Sequence, residues 1–390
     1  MNTIHYEGDW WPTWQQKLLL QAALLQGNKA IDAWHEWKSS VDIDRLDKGS
    51  LRLLPLLYHN LRIHRVENPL MNRFKRAHRT TWYENQMLFH NMAILLRSFH
   101  NAGIQTMILK GAALTLLYYR DYGLRPMTDF DVLVPTEQAQ DATQLLTDLG
   151  WTPQVILIDR FTKSFILPIH SCGFSNVNGQ SLDLHKYVFP DCCYANIDAD
   201  LWDASVSATV HDTPTSALNP TDQLLHVCAY GAVWHSMPRI RWAADAMIII
   251  KTSQSEIDCN RLMTQAQKRR LILPLKDTLN YLRDVLDANV PIGILQSLQD
   301  MPVSRIERIQ YTARTTHPAK LLRPLLLRPF RALRLHYIHY SQHMSSACLL
   351  HRLIGFPKVL QQIWGLDHLW QVPFYGVFRW IRMILNMKVN

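Results

Sequence analysis

MILKGAALTLLYYRDYGLRPMTDFDVLVP, residues 107–135, is the most informative stretch of the sequence. Near its end, Thr128-Asp129-Phe130-Asp131-Val132-Leu133-Val134 sets two carboxylates in an apolar run bounded by Pro126 and Pro135. Such a run predicts a short buried strand, here from Met127 to Val134. Side chains alternate across a strand, so Asp129 and Asp131 are expected on one face. Two ionised carboxylates side by side repel, and in a half-buried place they call for a cation. The economical partner is a hard divalent ion, Mg²⁺, which takes carboxylate oxygens together with substrate phosphates. Taken alone, the Asp-x-Asp pair is equally compatible with a strand end carrying two solvated aspartates.

The residues ahead of the pair favour the metal. Gly103 to Leu109 reads as a first strand and Ala112 to Tyr119 as the helix after it. A strand, a Gly turn and a helix start offer free backbone N–H groups to a phosphate. Lys110, beside Gly111, adds a point charge for the same phosphate. Arg125 stands just ahead of the acidic pair.

Leu109-Lys110-Gly111, Tyr118-Tyr119, Arg125-Pro126, Asp129-x-Asp131 and Leu182-Asp183-Leu184-His185 follow one another in that order. In this the chain resembles the nucleotidyltransferase superfamily with the polymerase β-type fold. More narrowly, it is similar to a bacterial family of uncharacterised nucleotidyltransferases, the NTP-transferase type 5 group, over Met107 to Val188. The resemblance implies an α+β fold, a mixed β-sheet core with flanking helices between helical N- and C-terminal regions. It departs from the wider superfamily at the first turn, where many members carry Gly-Ser and this chain has Lys110-Gly111-Ala112. The narrower family shares the lysine.

Downstream, Thr136 is expected to cap a helix ending near Leu149-Gly150. Strands are expected over Trp151–Ile158, Phe165–His170, Gly173–Val177 and Ser181–His185, with a hairpin turn at Asn178-Gly179. That hairpin would bring Asp183 into the sheet, with His185 on its face. Two carboxylates on one strand and a third on a neighbour are what two-metal phosphoryl transfer requires. Asp129 and Asp131 would hold both Mg²⁺ ions, for which Mn²⁺ can substitute, and Asp183 the one that activates the acceptor hydroxyl. Lys110, Arg125 and the backbone at Gly111 would bind the phosphates of an NTP, expected to be ATP. His185 and His170 read equally as accessory or as structural histidines. Trp242 and Asp245 could line the cleft, though a core Trp and a capping Asp fit as well.

At 390 residues the chain should form more than one unit. We expect a helical region over 1–100, the transferase core over 101–205 and a helical region over 206–390. Asp198 to Thr215, rich in Asp, Ser and Thr, reads as a linker. The Trp34 and Trp37 side chains read as packing residues. No signal-peptide pattern opens the sequence, and no uncharged apolar run reaches the ~18 residues a membrane span needs. The six cysteines show no Cys-x-x-Cys spacing, which argues against a zinc site and for a reduced, cytoplasmic protein.

The basic charge is concentrated at the end of the chain. From Met301 to Asn390 there are 13 Lys or Arg against 2 acidic residues, a net +11 that leaves about −2 for the rest. Arg mixed with Leu, Ile, Trp and Phe suggests an anionic partner or membrane surface, or ordinary helix faces packed on the core. No nucleic-acid signature accompanies the charge. The expected activity is NMP transfer from an NTP to a hydroxyl-bearing small molecule, sugar, peptide or protein, in a bacterial biosynthetic cluster. The alternative is an inactive protein that kept the fold as a nucleotide- or partner-binding module.

Overall fold

A computed structural model of the protein describes residues 6, 10–153, 169–233, 239–316, 333, 337, 340 and 349–385. The N-terminal region is helical, as its apolar spacing predicts: α1 Trp14–Leu24, α2 Asn28–Ser40, α3 Lys48–Leu51, α4 Leu54–Ile63 and α5 Met71–Asn101. Thr13 caps α1 through a reciprocal capping box with Gln16. Trp34 and Trp37 are fully buried against Phe74 and the α1–α4 core.

The sheet follows. Its strands are β1 Met107–Ile108, β2 Phe130–Leu133, β3 Thr152–Pro153, β4 Ser171–Ser175, β5 Ser181–His185, β6 Val206–Val210 and β7 Thr213–Ala217. Their order is β3-β4-β5-β2-β1-β7-β6. The β1–β7 and β2–β5 pairs are parallel and the other four antiparallel, so the α+β mixed sheet is present. α6 Lys110–Leu114 leaves β1, and α7 Ala139–Asp148 leaves β2.

The sheet's two faces have different neighbours because side chains alternate. Ile108, Phe130, Val132, Leu182 and Leu184 pack against α5 and α7 through Phe89, Leu96, Phe99, Ala142 and Leu146. Met107, Leu109 and Leu133 turn the other way, into the core shared with the N-terminal helices and the helices after the sheet. Those later helices are α9 Pro220–Gly231, α10 Arg241–Ser253, α11 Cys259–Arg269, α12 Ile272–Leu286, α13 Ile292–Asp300 and α14 Arg305–Thr315. Beyond them lie α15 Leu349–Trp364 and α16 Gln371–Leu385. Among the described residues no helix is long and apolar enough to cross a membrane, and no disulfide joins the described cysteines.

Several local expectations need correction. The passage from Asp198 to Thr215 is not a linker: it folds as α8 Ala199–Asp203 and the β6–β7 hairpin, and β7 completes the sheet beside β1. Its Val206, Ala208 and Val210 alternate as a strand should, but short polar residues between them hide the signal. Thr136 opens a 3₁₀ turn, and no side chain caps α7. The β4–β5 turn forms at 176–180 with Gly179 at φ 74°, a left-handed angle that suits glycine. β4 starts and ends two residues earlier than expected, and Val177 stands in solvent. The strands expected over Trp151–Ile158 and Phe165–His170 fall mostly outside the described residues, as does much of the basic stretch after Thr316.

Candidate active site

The alternation that buries Phe130 and Val132 on one face of the sheet turns Asp131 to the other. On the parallel neighbour, Asp183 and His185 do the same, and Asp131 and Asp183 are direct register partners. Asp131 and His185 are buried, Asp183 partly so. One ligand atom from each lies within 4.8 Å of the others. His185 Nε2 is 3.0 Å from Asp131 Oδ1.

Lys110 completes the cluster. It occupies a left-handed backbone position, φ 45°, at the strand-to-helix turn. From there its Nζ donates to Asp131 Oδ1 at 2.5 Å and lies 3.4 Å from His185 Nε2. The ammonium also sits 4.9 Å from the centre of the Tyr230 ring, a cation–π contact from α9. The lysine expected to meet phosphate therefore meets the carboxylate expected to meet metal.

Arg125 is also engaged within the protein. Its Nε and Nη2 donate to the two oxygens of Asp245 at 2.8 and 2.9 Å, a buried bidentate pair. The Tyr119 hydroxyl donates to the same carboxylate at 2.9 Å. Tyr119 gets there through a π-helical turn, Thr115–Tyr119, that follows α6. Asp245 is thus no helix cap but the counter-ion of Arg125. Gly111 is required by the same packing: a Cβ there would lie 2.6 Å from Arg125 Nη1 and 2.7 Å from Met127 Sδ.

The electrostatics follow from burial and these partners. Burial alone would raise the Asp131 carboxyl, but the His185 hydrogen bond and the Lys110 charge hold it well below the usual range. Burial pulls the Lys110 ammonium down, and Asp131 and Tyr230 more than offset it, so it stays charged. Asp183 is pushed up by burial and then by the Asp131 charge. His170 and His226 are held neutral, at about 3, first by burial and then by the cations beside them.

These groups open on a cavity of about 890 Å³. Asp129, Asp131, Asp183, Lys110, Gly111 and Arg125 all line it, and so do Trp242 and Asp245. His170 and His185 do not. His170 packs behind the site, its ring 5.5 Å from that of His185. Asp129 falls just before β2, is exposed, and stands outside the Asp131–Asp183–His185 group, because the strand begins only at Phe130. The wall also includes residues not among those expected at the site: Lys48 and Arg52 around α3, His226 and Tyr230 on α9, and Arg239 and Arg241 at the start of α10. The i, i+4 spacing of His226 and Tyr230 put both on one helix face, which was the available signal.

The donor set can accommodate a cation. Two carboxylates and an imidazole converge, and Asp183 carries a repulsion that a divalent ion would relieve. Carboxylates suit Mg²⁺ or Mn²⁺, and imidazole is better tolerated by Mn²⁺ than by Mg²⁺.

A mixed sheet thus presents paired carboxylates and a lysine to a large, partly basic cavity. The family described as uncharacterised nucleotidyltransferases matches residues 49–287, more than half of the chain, and the chain belongs to that family. No curated protein matches the chain. Among solved structures it is similar to the antibiotic-resistance factor ANT(2'')-Ia, at 10% identity and a TM-score of 0.33, over 50% of this chain and 99% of that one. It is also similar to an antigenic nucleotidyltransferase-like protein from Paracoccidioides brasiliensis, at 16% identity and 0.32, over 53% and 95%. Both scores are too low to bear on the site.

Proposed function

We propose that the protein transfers an NMP group from an NTP, ATP in the first instance, to a hydroxyl-bearing acceptor in a Mg²⁺- or Mn²⁺-dependent reaction. The observation that carries this reading is the register pairing of Asp131 with Asp183 at the wall of the cavity. Asp131, Asp183 and His185, with Asp129 at the rim, are the groups that would hold the metal. Bound there, the metal would supply charge to the phosphate oxygens and lower the pKa of the attacking hydroxyl.

The chain's own residues do the rest. Lys110 carries a fixed positive charge to the turn where the phosphates would rest, and Gly111 lets Arg125 and Met127 pack closely under that turn. Asp245 and Tyr119 lock the Arg125 guanidinium, so Arg125 shapes the wall under the turn rather than reaching for substrate. Tyr230 covers Lys110 from α9. The proposed division of labour is a transferase core over 101–205 between helical regions, with the β6–β7 hairpin added to the core.

A second reading has one observation behind it. With Lys110 closed on Asp131, the protein could bind nucleotide or a partner without turning over. Calorimetric titration of Mn²⁺ with nucleotide separates the two at the first step. Wild type should bind the pair, while Asp131→Asn should lose metal binding. Equal metal binding by both proteins would remove Asp131 from the site and leave the binding-module reading.

A further inference from the structure

The cavity contains three arginines that the carboxylate site does not use. Arg52 reaches it from the end of α3, and Arg239 and Arg241 from the start of α10. None of the three has a carboxylate within ion-pairing distance among the described residues, in contrast to Lys110 and Arg125. Arg241 donates to the Pro126 carbonyl at 2.6 Å, which fixes the side chain in place without neutralising it. Burial, then the like charges of Arg125 and Arg52, outweigh the nearby Asp245 charge and hold its guanidinium down at about 9. A guanidinium in that position gains from any anion that reaches it.

The helix under these residues points to the same ligand. α10 is 13 residues long, has Ile240 at its cap position with no side-chain cap, and carries no acidic residue in its first turn. Among the described residues, no side chain therefore satisfies its first N–H groups or its positive dipole end. Trp242, the second residue of that helix, lines the cavity, and its Nε1 is buried with no hydrogen-bond partner among the described residues.

We propose that Arg241, Arg52 and Arg239, at the uncapped start of α10, form a phosphate-binding wall in the same cavity as the Lys110 turn. Guanidinium groups and a helix start together match the planar, multiply charged oxygens of a phosphate or oligophosphate. The choice of phosphate rests on the nucleotidyltransferase reading above. The phosphate could be the nucleotide's own or one carried by the acceptor.

Inorganic tripolyphosphate is the probe, titrated calorimetrically into the full-length protein with EDTA present so that no metal contributes. Wild type should bind it without metal. Arg52→Gln, an exposed and structurally mild change, should bind about tenfold more weakly, the effect of roughly one lost charge contact. Arg241→Gln should do the same or more, and the double variant should keep only the weak binding that the Lys110 turn provides. Added NaCl should weaken wild-type binding, because the contact is ionic. Displacement of tripolyphosphate by ATP would assign the wall to the nucleotide, and simultaneous binding of both would assign it to a phosphorylated acceptor. No binding by wild type, or unchanged binding by both single variants, overturns the proposal. Because metal is excluded, loss of transfer activity elsewhere would leave this result unaffected, and the reverse also holds.

Discussion

Lys110 Nζ lies 2.5 Å from Asp131 Oδ1, so the cation expected for phosphate and the carboxylate expected for metal neutralise each other. Both side chains are largely buried, and the pair sits at the point where β1 turns into α6. A divalent ion at Asp131 therefore has to share the carboxylate with Lys110 or displace the ammonium from it.

Lys110→Met tests that competition. It leaves Asp131 buried with only His185 as its partner, which should lower the metal-free stability by about 3 kcal/mol. Nucleotide binding should weaken more than metal binding, because a charge aimed at phosphate is lost. Mn²⁺ should then raise the melting temperature of the variant more than that of wild type. Melting curves that respond equally to Mn²⁺ would show that Lys110 does not compete for the site.

The Arg125–Asp245 pair makes a structural prediction. Asp245→Asn removes the charge that balances a buried guanidinium and should destabilise the fold by about 3 kcal/mol. Arg125→Met with Asp245→Leu should recover much of the loss, since neither charge is then left alone. Denaturant unfolding of the two variants checks this, and a double variant worse than the single would contradict it.

His226 sets a pH dependence. Its folded-state value of about 3 lies below the about 6.5 of an unfolded histidine, so the unfolded chain binds the extra proton first. Stability should be fully present above pH 6.5 and fall as pH drops from there toward 3, by about 1.4 kcal/mol per pH unit from this group. His226→Phe should flatten the decline in melting temperature between pH 6.5 and 4.5. An equal decline in both proteins would mean that His226 charges freely in the folded state.

The carboxylates should divide their labour. Asp183 suffers repulsion from Asp131, so Asp183→Asn should leave the fold as stable as wild type or slightly more so. Nucleotide–metal binding should stay nearly intact while transfer collapses. Asp129→Asn, at an exposed position, should change stability by no more than about 0.5 kcal/mol while weakening metal binding in the presence of nucleotide. A variant at Asp183 that transfers at the wild-type rate would remove it from the reaction.

Much of this arrangement was legible in the sequence because it rests on local periodicity. Ser181–His185 forms the strand its alternation predicts, and the period of 2 sets Asp183 and His185 on the face that Asp131 shares. What escaped depends on long-range packing. No spacing rule links Arg125 to Asp245, 120 residues away, or Lys110 to Asp131 in preference to a phosphate. The β6–β7 hairpin escaped because its small polar residues resemble a linker until β7 pairs with β1. Asp129 was expected on the strand, but β2 starts one residue later and leaves it at the rim.

The central claim is that an α-phosphate is attacked at the Asp131–Asp183 site. The direct measurement offers the protein ATP labelled at the α-phosphate or, in parallel, at the γ-phosphate, with Mg²⁺ and cell extract as the source of acceptor. α-Label should become attached to an acceptor and γ-label should not, and Asp131→Asn should abolish the attachment. Transfer of the γ-label instead, or α-label transfer undiminished in Asp131→Asn, would contradict that claim.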